Sequence, residues 1–354
     1  MTTAYLNRVA TAVPENDVHA SFVGFAGAML HQERHRKLFA RMAERAEIHH
    51  RYSCLQADGN LGDAAADART FYRREAFPNT AERMKMFEQF APVLLRQTLD
   101  RLSLTKDEVR RVTHVLVTSC TGLYAPGLDF EIVDHLGLDP SVERTMIGFM
   151  GCYAAINALK LARHIVRSAP EAKVLVVNLE LCTLHLQETQ DLAQVLSYLV
   201  FGDGCAASLV STEPEGFALT SFRAFLIPET RELITWRIRE QGFDMMLSGR
   251  VPGELNQALR RLADGDSEPF AEVSLWAVHP GGRTILDATE EGLKLPKEAL
   301  WASRAVLSEF GNMSSPTVMF VLQKLMMQAP KGARGCAMSF GPGLTAETMR
   351  FTAA

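Results

Sequence analysis

Three residues in this chain have the types and surroundings for nucleophilic catalysis. Cys152 stands in "GFMGCYAAINALKLARHI", between a glycine turn and a helical segment. His279 stands in "SLWAVHPGGRTILD", where an apolar strand runs into a Pro-Gly-Gly turn, the kind of strand end at which α/β proteins present reactive groups. Asn312 stands in "GNMSSP", ahead of Ser315 and Pro316, which suit an N-cap and a first helical position. The helix after Cys152 is apolar except for a stripe through Asn157, Lys160, His164 and Arg167, so it is expected to be mostly buried. A cysteine in its first turn would meet unpaired N–H groups and the positive end of the dipole, and both stabilise a thiolate.

Each residue also has a plainer reading. A free cysteine is often a small buried hydrophobe. The histidine could sit in its loop without a role, and an asparagine in a turn often serves the bend through side-chain hydrogen bonds. As a Cys/His/Asn set the three carry more weight than singly. The same order of types occurs in papain-like hydrolases, but those carry "CGSCW" near a mature N-terminus and contain disulfides, and this chain has neither sign.

The elements that must position these residues read as follows. The first hundred residues read mainly as helix, in "SFVGFAGAMLHQERHRKLFARMAERAEI" and in "NTAERMKMFEQFAPVLLRQTLDRL", with Asn79 or Thr80 as N-cap. Strand-like runs follow: "RVTHVLVTSC", "AKVLVVNLEL", "GCAASLVS", "FALTSFRAFLI", "VSLWAVHP" and "GARGCAMSFGPG". They lack clean polar alternation, as expected of strands covered on both faces. Helical segments between them favour a layered α/β architecture. The stretch "LADGDSEP", residues 262–269, reads as a surface loop. A strand, a glycine turn and an apolar helix occur around Cys152 and again around Asn312, which suggests two related halves with facing helix entrances. The halves are placed at residues 1–213, with the cysteine, and 214–354, with the histidine and asparagine.

Composition narrows the class. The 354 residues are 47% hydrophobic and 22% charged, as in ordinary globular proteins. A net charge of −4 without a basic stripe argues against a nucleic-acid partner. The longest uncharged helix-like run, Thr145 to Leu159, has 15 residues, short of the roughly 20 that span a bilayer. "MTTAYLNRVATAVPEN" shows neither a basic leader nor a long apolar run. Six cysteines, none in a C-x-x-C pair, read as free thiols in a reducing compartment and offer no metal site. The expected location is the cytoplasm.

Five motifs in register, "GFMGCYAAINALKLA", "LVFGDGCAASLV", "WAVHPGGRTILD", "GNMSSPTVMFVL" and "SFGPGLTAE", resemble the type III polyketide synthases, the chalcone-synthase-like family, over about residues 3 to 352. The resemblance implies a thiolase-like fold: two similar layered α/β/α/β/α halves about a pseudo-twofold axis, working as a homodimer. It implies that Cys152 takes a starter acyl group from coenzyme A, and that His279 and Asn312 activate malonyl-CoA for decarboxylative condensation. No metal or redox cofactor is implied, and acyl-CoA and malonyl-CoA are the partners.

Further positions follow from the same resemblance. Phe201 in "LVFGDG" matches a gate between the coenzyme A tunnel and the cavity, and Met245 stands where plant members usually have a second gating phenylalanine. Cys120, Cys182, His185, Trp236 and Ser314 fall at cavity-lining positions, with Trp236 in place of a usually small residue. Phe340 and Gly341 belong to a segment that scaffolds the cyclisation cavity. His49, His50 and Arg51 resemble a basic cluster at the tunnel mouth that meets coenzyme A phosphates. A ketoacyl-carrier-protein synthase of the type III kind would show "H-Q-A-N" where this chain has "HPGGR". Within the polyketide branch the expected product is an alkylpyrone or alkylresorcinol from a fatty acyl starter. The alternative is tetrahydroxynaphthalene from malonyl-CoA alone.

Overall fold

The computed structural model describes residues 2–56, 71–265 and 270–354. Its strands are β1 (Tyr5–Ala12), β2 (Asn16–Asp17), β3 (Tyr52–Ser53), β4 (His114–Ser119), β5 (Glu143–Gly148), β6 (Val174–Leu181), β7 (Asp203–Ser211), β8 (Phe217–Leu226), β9 (Ile234–Arg239), β10 (Gly242–Leu247), β11 (Leu275–Val278), β12 (Arg334–Gly341) and β13 (Thr345–Ala353). The helices are α1 (His19–Met29), α2 (Glu33–Glu44), α3 (Thr80–Leu102), α4 (Lys106–Arg110), α5 (Leu128–Leu136), α6 (Ala154–Ser168), α7 (Leu192–Tyr198), α8 (Val251–Gly265), α9 (Arg283–Leu293), α10 (Trp301–Phe310) and α11 (Thr317–Met326).

Nine strands form one sheet in the order β11-β12-β13-β8-β1-β7-β6-β4-β5. β1 and β8 meet antiparallel at its middle. Outward from β1 the pairings run antiparallel to β7, antiparallel to β6 and parallel to β4. Outward from β8 they run antiparallel to β13, antiparallel to β12 and parallel to β11. The same sequence of pairings on both sides of an antiparallel centre is what an approximate twofold through that centre produces. β5, parallel to β4, extends one side by a further strand. The repeat around Cys152 and Asn312 therefore has a structural counterpart: α6 precedes β6 and α11 precedes β12, which are equivalent strands.

Burial explains why the central strands read as they do. Every residue of β6, "VLVVNLEL", and of β7, "DGCAASLVS", is buried, so neither face needs polar residues. α6 packs on β4, β6 and β7 and reaches β13, while α11 packs on β1, β7 and β11. Ala155, Ile156, Leu159 and Ala162 of α6 share one apolar core with Val318, Met319, Phe320 and Leu322 of α11. α3 starts where expected: Asn79 accepts from the Glu82 N–H at 3.0 Å, and the Glu82 carboxylate accepts from the Asn79 N–H at 2.8 Å.

Several expectations need correction. The N-terminal hundred residues are not mainly helical at their start, because β1 occupies the sheet centre, paired on both edges. β5, β9, β10 and β13 are strands that the pattern did not reveal. β9 and β10 form their own antiparallel ribbon. Residues 262–265 of the expected loop form the last turn of α8, and 266–269 lie outside the described residues. No helix among the described residues is long and apolar enough to cross a membrane.

Candidate active site

Cys152 is reached from β5 through a turn with two left-handed residues, Phe149 (φ 56°) and Gly151 (φ 72°). Gly151–Tyr153 forms a short 3-10 turn, so Cys152 lies just ahead of α6 rather than inside its first turn. Gly151 is required twice over. A Cβ there would sit 2.5 Å from Pro342 Cδ, and its positive φ disfavours any side chain. Its N–H donates to Cys120 Sγ at 3.1 Å. Gly151→Ala is expected to cost about 3 kcal/mol of folding stability, from overpacking plus backbone strain. A denaturant titration checks this, and an unchanged midpoint would show that the turn is not locked.

Asn312 joins three segments. Its N–H donates to Val200 O at 2.7 Å, and its carbonyl accepts from the Gly202 N–H at 3.0 Å, so it bridges to Phe201. Its Nδ2 donates to Gly281 O at 3.3 Å, beside the His279 turn, and its Oδ1 accepts from the Ser314 N–H at 2.8 Å. The turn-stabilising reading of this asparagine is thus correct, and one Nδ2 hydrogen is left over. Ser315 does not cap the helix. Its hydroxyl donates to Glu180 Oε1 at 2.9 Å, and the Pro316 carbonyl takes the first helical N–H bonds, so α11 begins at Thr317.

His279 directly follows β11, with its N–H donating to Met338 O at 2.8 Å. Both ring nitrogens are buried and have no hydrogen-bond partner in the protein. Burial alone pulls its pKa down to about 3. Cys152 Sγ lies 3.7 Å from Ser314 Oγ. Loss of hydration pushes the Cys152 thiol up to about 11, and the neighbouring Ser314 and Asn312 side chains pull the other way. These directions run against the expected thiolate: burial favours a neutral thiol and a neutral imidazole.

The three residues and Ser314 line one cavity of about 530 Å³. Phe201, Met245, Cys120, Cys182, His185 and Trp236 also line it. So do Phe340 and Gly341. Trp236 and Met245 face each other across the β9–β10 ribbon. The Trp236 Nε1–H donates to Cys120 O at 2.7 Å, and its ring meets His185 edge-on at 5.3 Å. His185 is fully engaged, with Nε2 at 2.6 Å from Thr121 O and Nδ1 accepting from the Phe243 N–H at 3.3 Å. Burial keeps it neutral, with its pKa near 3, so it serves as a wall.

The basic trio does not line this cavity. Arg51 is buried: its guanidinium donates to the carbonyls of Tyr198 and Phe201 and stacks on Phe22, so it braces the segment that carries Phe201. His50 pairs with Asp17 at 2.6 Å, and His49 bonds Ser308 Oγ at 2.7 Å. Met42, Arg45 and Arg283 stand at the cavity instead, from the end of α2 and the start of α9. Arg45 reads in sequence as an ordinary helix-surface residue, and nothing local distinguishes it.

Glu180 was also missed. It is a fully buried carboxylate on β6 that accepts from the Cys120 N–H at 2.9 Å, Thr121 Oγ1 at 2.8 Å and Ser315 Oγ. Burial pushes it up to about 7 against those bonds. An acid inside the otherwise apolar "VLVVNLEL" is the signal that could have found it. All six cysteines are unpaired. Among the described residues no group of three or more His, Cys, Asp or Glu side chains could hold a metal ion.

Comparison with known proteins places this geometry. The family profile described as "Chalcone and stilbene synthases, N-terminal domain" matches residues 3–214, and that for the C-terminal domain matches residues 218–353. "Alpha-pyrone synthesis polyketide synthase-like Pks18" of Mycobacterium tuberculosis is 33% identical over 296 residues, 79% of this chain and 75% of that protein. Bisdemethoxycurcumin synthase of Oryza sativa subsp. japonica is 36% identical over 260 residues, 67% of this chain and 65% of that protein. Among solved structures, PKS-I of the brown alga Ectocarpus siliculosus superposes with a TM-score of 0.90 at 28% identity, covering 100% of this chain and 99% of that one. The 1,3,6,8-tetrahydroxynaphthalene synthase of Streptomyces coelicolor A3(2) superposes with a TM-score of 0.85 at 27% identity, over 100% and 99%.

Proposed function

We propose a specific reaction for a chain that belongs to the chalcone and stilbene synthase family, the type III polyketide synthases, and has their thiolase-like fold. As a member it is a transferase that builds polyketides by decarboxylative condensation, with coenzyme A thioesters as substrates and no further cofactor. The specific reading is that Cys152 accepts a fatty acyl group and malonyl units extend it. The chain then closes to an alkylpyrone or alkylresorcinol.

The roles follow from the site. The neutral Cys152 thiol gives its proton to the neutral His279 imidazole as sulfur attacks the thioester carbonyl, and the coenzyme A thiol leaves with a proton. Loss of carbon dioxide from malonyl-CoA leaves negative charge on the thioester oxygen. His279 and the remaining Asn312 Nδ2–H donate to that enolate as an oxyanion hole would. The enolate carbon attacks the acyl-Cys152 thioester and releases the cysteine sulfur. The observation that carries this reading is the pair of buried, unpartnered His279 ring nitrogens in a cavity shared with Cys152 and Asn312. A buried imidazole with nothing to bond is costly unless a ligand supplies the partner.

A second pocket of about 330 Å³ supports the long starter. It shares Cys182, Tyr198 and Phe201 with the main cavity and is lined by Phe22, Phe25 and Leu55. Alpha-pyrone synthesis in the name of the mycobacterial relative points the same way. The likeness to the tetrahydroxynaphthalene synthase, together with Cys120, keeps malonyl-CoA alone as the second reading. Trp236→Gly opens the wall held against Cys120 and is expected to shift products toward longer or differently closed chains. An unchanged profile by liquid chromatography and mass spectrometry would show that Trp236 does not bound the growing chain.

We assign the coenzyme A phosphates to Arg45 and to Arg283, which also pairs with Glu47 and Asp287, because both line the cavity and His49, His50 and Arg51 do not. Arg45→Ala should raise KM for acyl-CoA roughly tenfold while leaving kcat within about twofold. Equal loss for an acyl-pantetheine substrate, which lacks the nucleotide, would contradict that role. A homodimer belongs to the same proposal. Exposed Val93, Phe130 and Met146 come from α3, α5 and the edge strand β5, which pack on one another and offer an apolar face. The unpaired cysteines support a reducing compartment, the cytoplasm.

A further inference from the structure

We infer that the second pocket, of about 330 Å³, takes the far end of the starter chain, and that Arg51 donates a hydrogen bond there to an oxygen carried at that end. This rests on the reading of Cys152 as acyl acceptor and narrows the starter's class, from a plain fatty acyl group to one with a terminal hydroxyl or carboxylate. Arg51 is only 2% exposed, yet it lines this pocket. Its Nε donates to His19 Nδ1 at 3.0 Å, and its Nη1 donates to the carbonyls of Tyr198 and Phe201. Its guanidinium carbon lies 4.4 Å from the centre of the Phe22 ring. The Nη2 group is buried and has no hydrogen-bond partner in the protein. Both of its hydrogens are donors, and a charged donor left unmet costs more than a neutral one.

The other polar groups of the pocket do not meet that need. Asp203, whose charge acts on Arg51, is committed elsewhere: it accepts from the Cys54 N–H at 2.9 Å and from the Thr183 N–H and Oγ1, each at 2.8 Å. The Ser53 hydroxyl bonds Thr183 Oγ1 at 2.7 Å, and the Tyr72 hydroxyl donates to Thr183 O at 2.6 Å. Tyr198 also lines the pocket, but its hydroxyl interacts with Gln194 and Asp244. The rest of the wall is apolar, with Phe22, Phe25, Leu55 and Leu186. A water beside Nη2 needs two to four polar partners and finds few here. An oxygen on an acyl chain is held by the chain itself and needs only the arginine. Cys182, Tyr198 and Phe201 line both pockets, and Cys182 lies within electrostatic reach of Cys152, so a chain bound at Cys152 has a way in. A chain of the same length ending in a methyl group would cover the cation without pairing it.

The test is the rate of acyl loading on Cys152, read by intact mass, from three series of coenzyme A thioesters running from octanoyl to hexadecanoyl. One series ends in a methyl group, one in a hydroxyl and one in a carboxylate. The wild-type chain is expected to load all three. At the length that brings the end to Arg51, an oxygen should raise the rate by about tenfold or more over the methyl-ended chain. On shorter chains the two should agree within about twofold. The series with the larger gain identifies the end group. Arg51→Gln should bring the ratio of oxygen-ended to methyl-ended rates to within about twofold at every length, and a ratio is insensitive to general damage from the substitution. If that variant does not fold, the length dependence in the wild type decides alone. No gain from a terminal oxygen at any length would overturn the inference while leaving the Cys152 assignment intact. A gain equal at all lengths would mark a general effect of polarity and also overturn it, as would a gain that survives in Arg51→Gln. No loading from any thioester would fail the acyl-acceptor reading itself.

Discussion

Cys152→Ala retains the cavity but forms no acyl-enzyme from any acyl-CoA, and product formation falls by roughly a thousandfold or more. The loss is this large because no other sulfur can stand in. Cys120 Sγ accepts the Gly151 N–H, and burial pushes the Cys120 and Cys182 thiols well above the usual range without a base bonded to either. Decarboxylation of malonyl-CoA does not need the sulfur, so carbon dioxide and acetyl-CoA still appear. Acyl adducts on the alanine variant, located by peptide mapping, would remove Cys152 from its role. The Cys152 sulfur makes one side-chain hydrogen bond, to Ser314, so the alanine variant is expected to fold, which a denaturant titration checks.

His279→Ala separates the two half-reactions. Decarboxylation loses the donor to the developing oxyanion and falls by roughly 100- to 1,000-fold. Loading falls as well at neutral pH, because the thiol, pushed up to about 11, has lost the base that takes its proton. That second defect recovers with pH. Below about 11 the thiolate fraction grows roughly tenfold per pH unit, so loading by the variant climbs through pH 8 and 9. Decarboxylation stays low at every pH, since ionising the cysteine restores no donor. Carbon dioxide release at the wild-type rate, or loading that does not rise with pH, would contradict the assigned roles.

Local patterns made some of this site legible and tertiary contact hid the rest. Cys152 and His279 stand out because each sits where a glycine-bearing turn joins a strand to a helix, and Asn312 because a glycine turn precedes it at the entrance of an apolar helix; the repeated helix entrance foreshadowed the matching pairings around β1 and β8. β1 itself, "YLNRVATA", was missed because its burial does not alternate cleanly and its partners lie about two hundred residues away. The trio His49, His50 and Arg51 shows only charge in sequence. That Arg51 turns inward to the carbonyls of Tyr198 and Phe201 depends on a segment no spacing could bring near it. The opposing pull of burial on the Cys152 thiol was hidden for a related reason. A helix entrance argues from one element, whereas the thiol's ionisation depends on every wall of the cavity. Glu180 was within reach, since a lone carboxylate in an apolar strand demands buried partners.

Intact-protein mass spectrometry after incubation with acyl-CoAs from acetyl to long-chain fatty acyl, followed by malonyl-CoA, tests the central claim most directly. The account predicts a single adduct on Cys152 with the long chains, cleared on malonyl-CoA addition as alkylpyrones or alkylresorcinols appear. An aromatic product from malonyl-CoA alone, with no adduct from any fatty acyl-CoA, would contradict it.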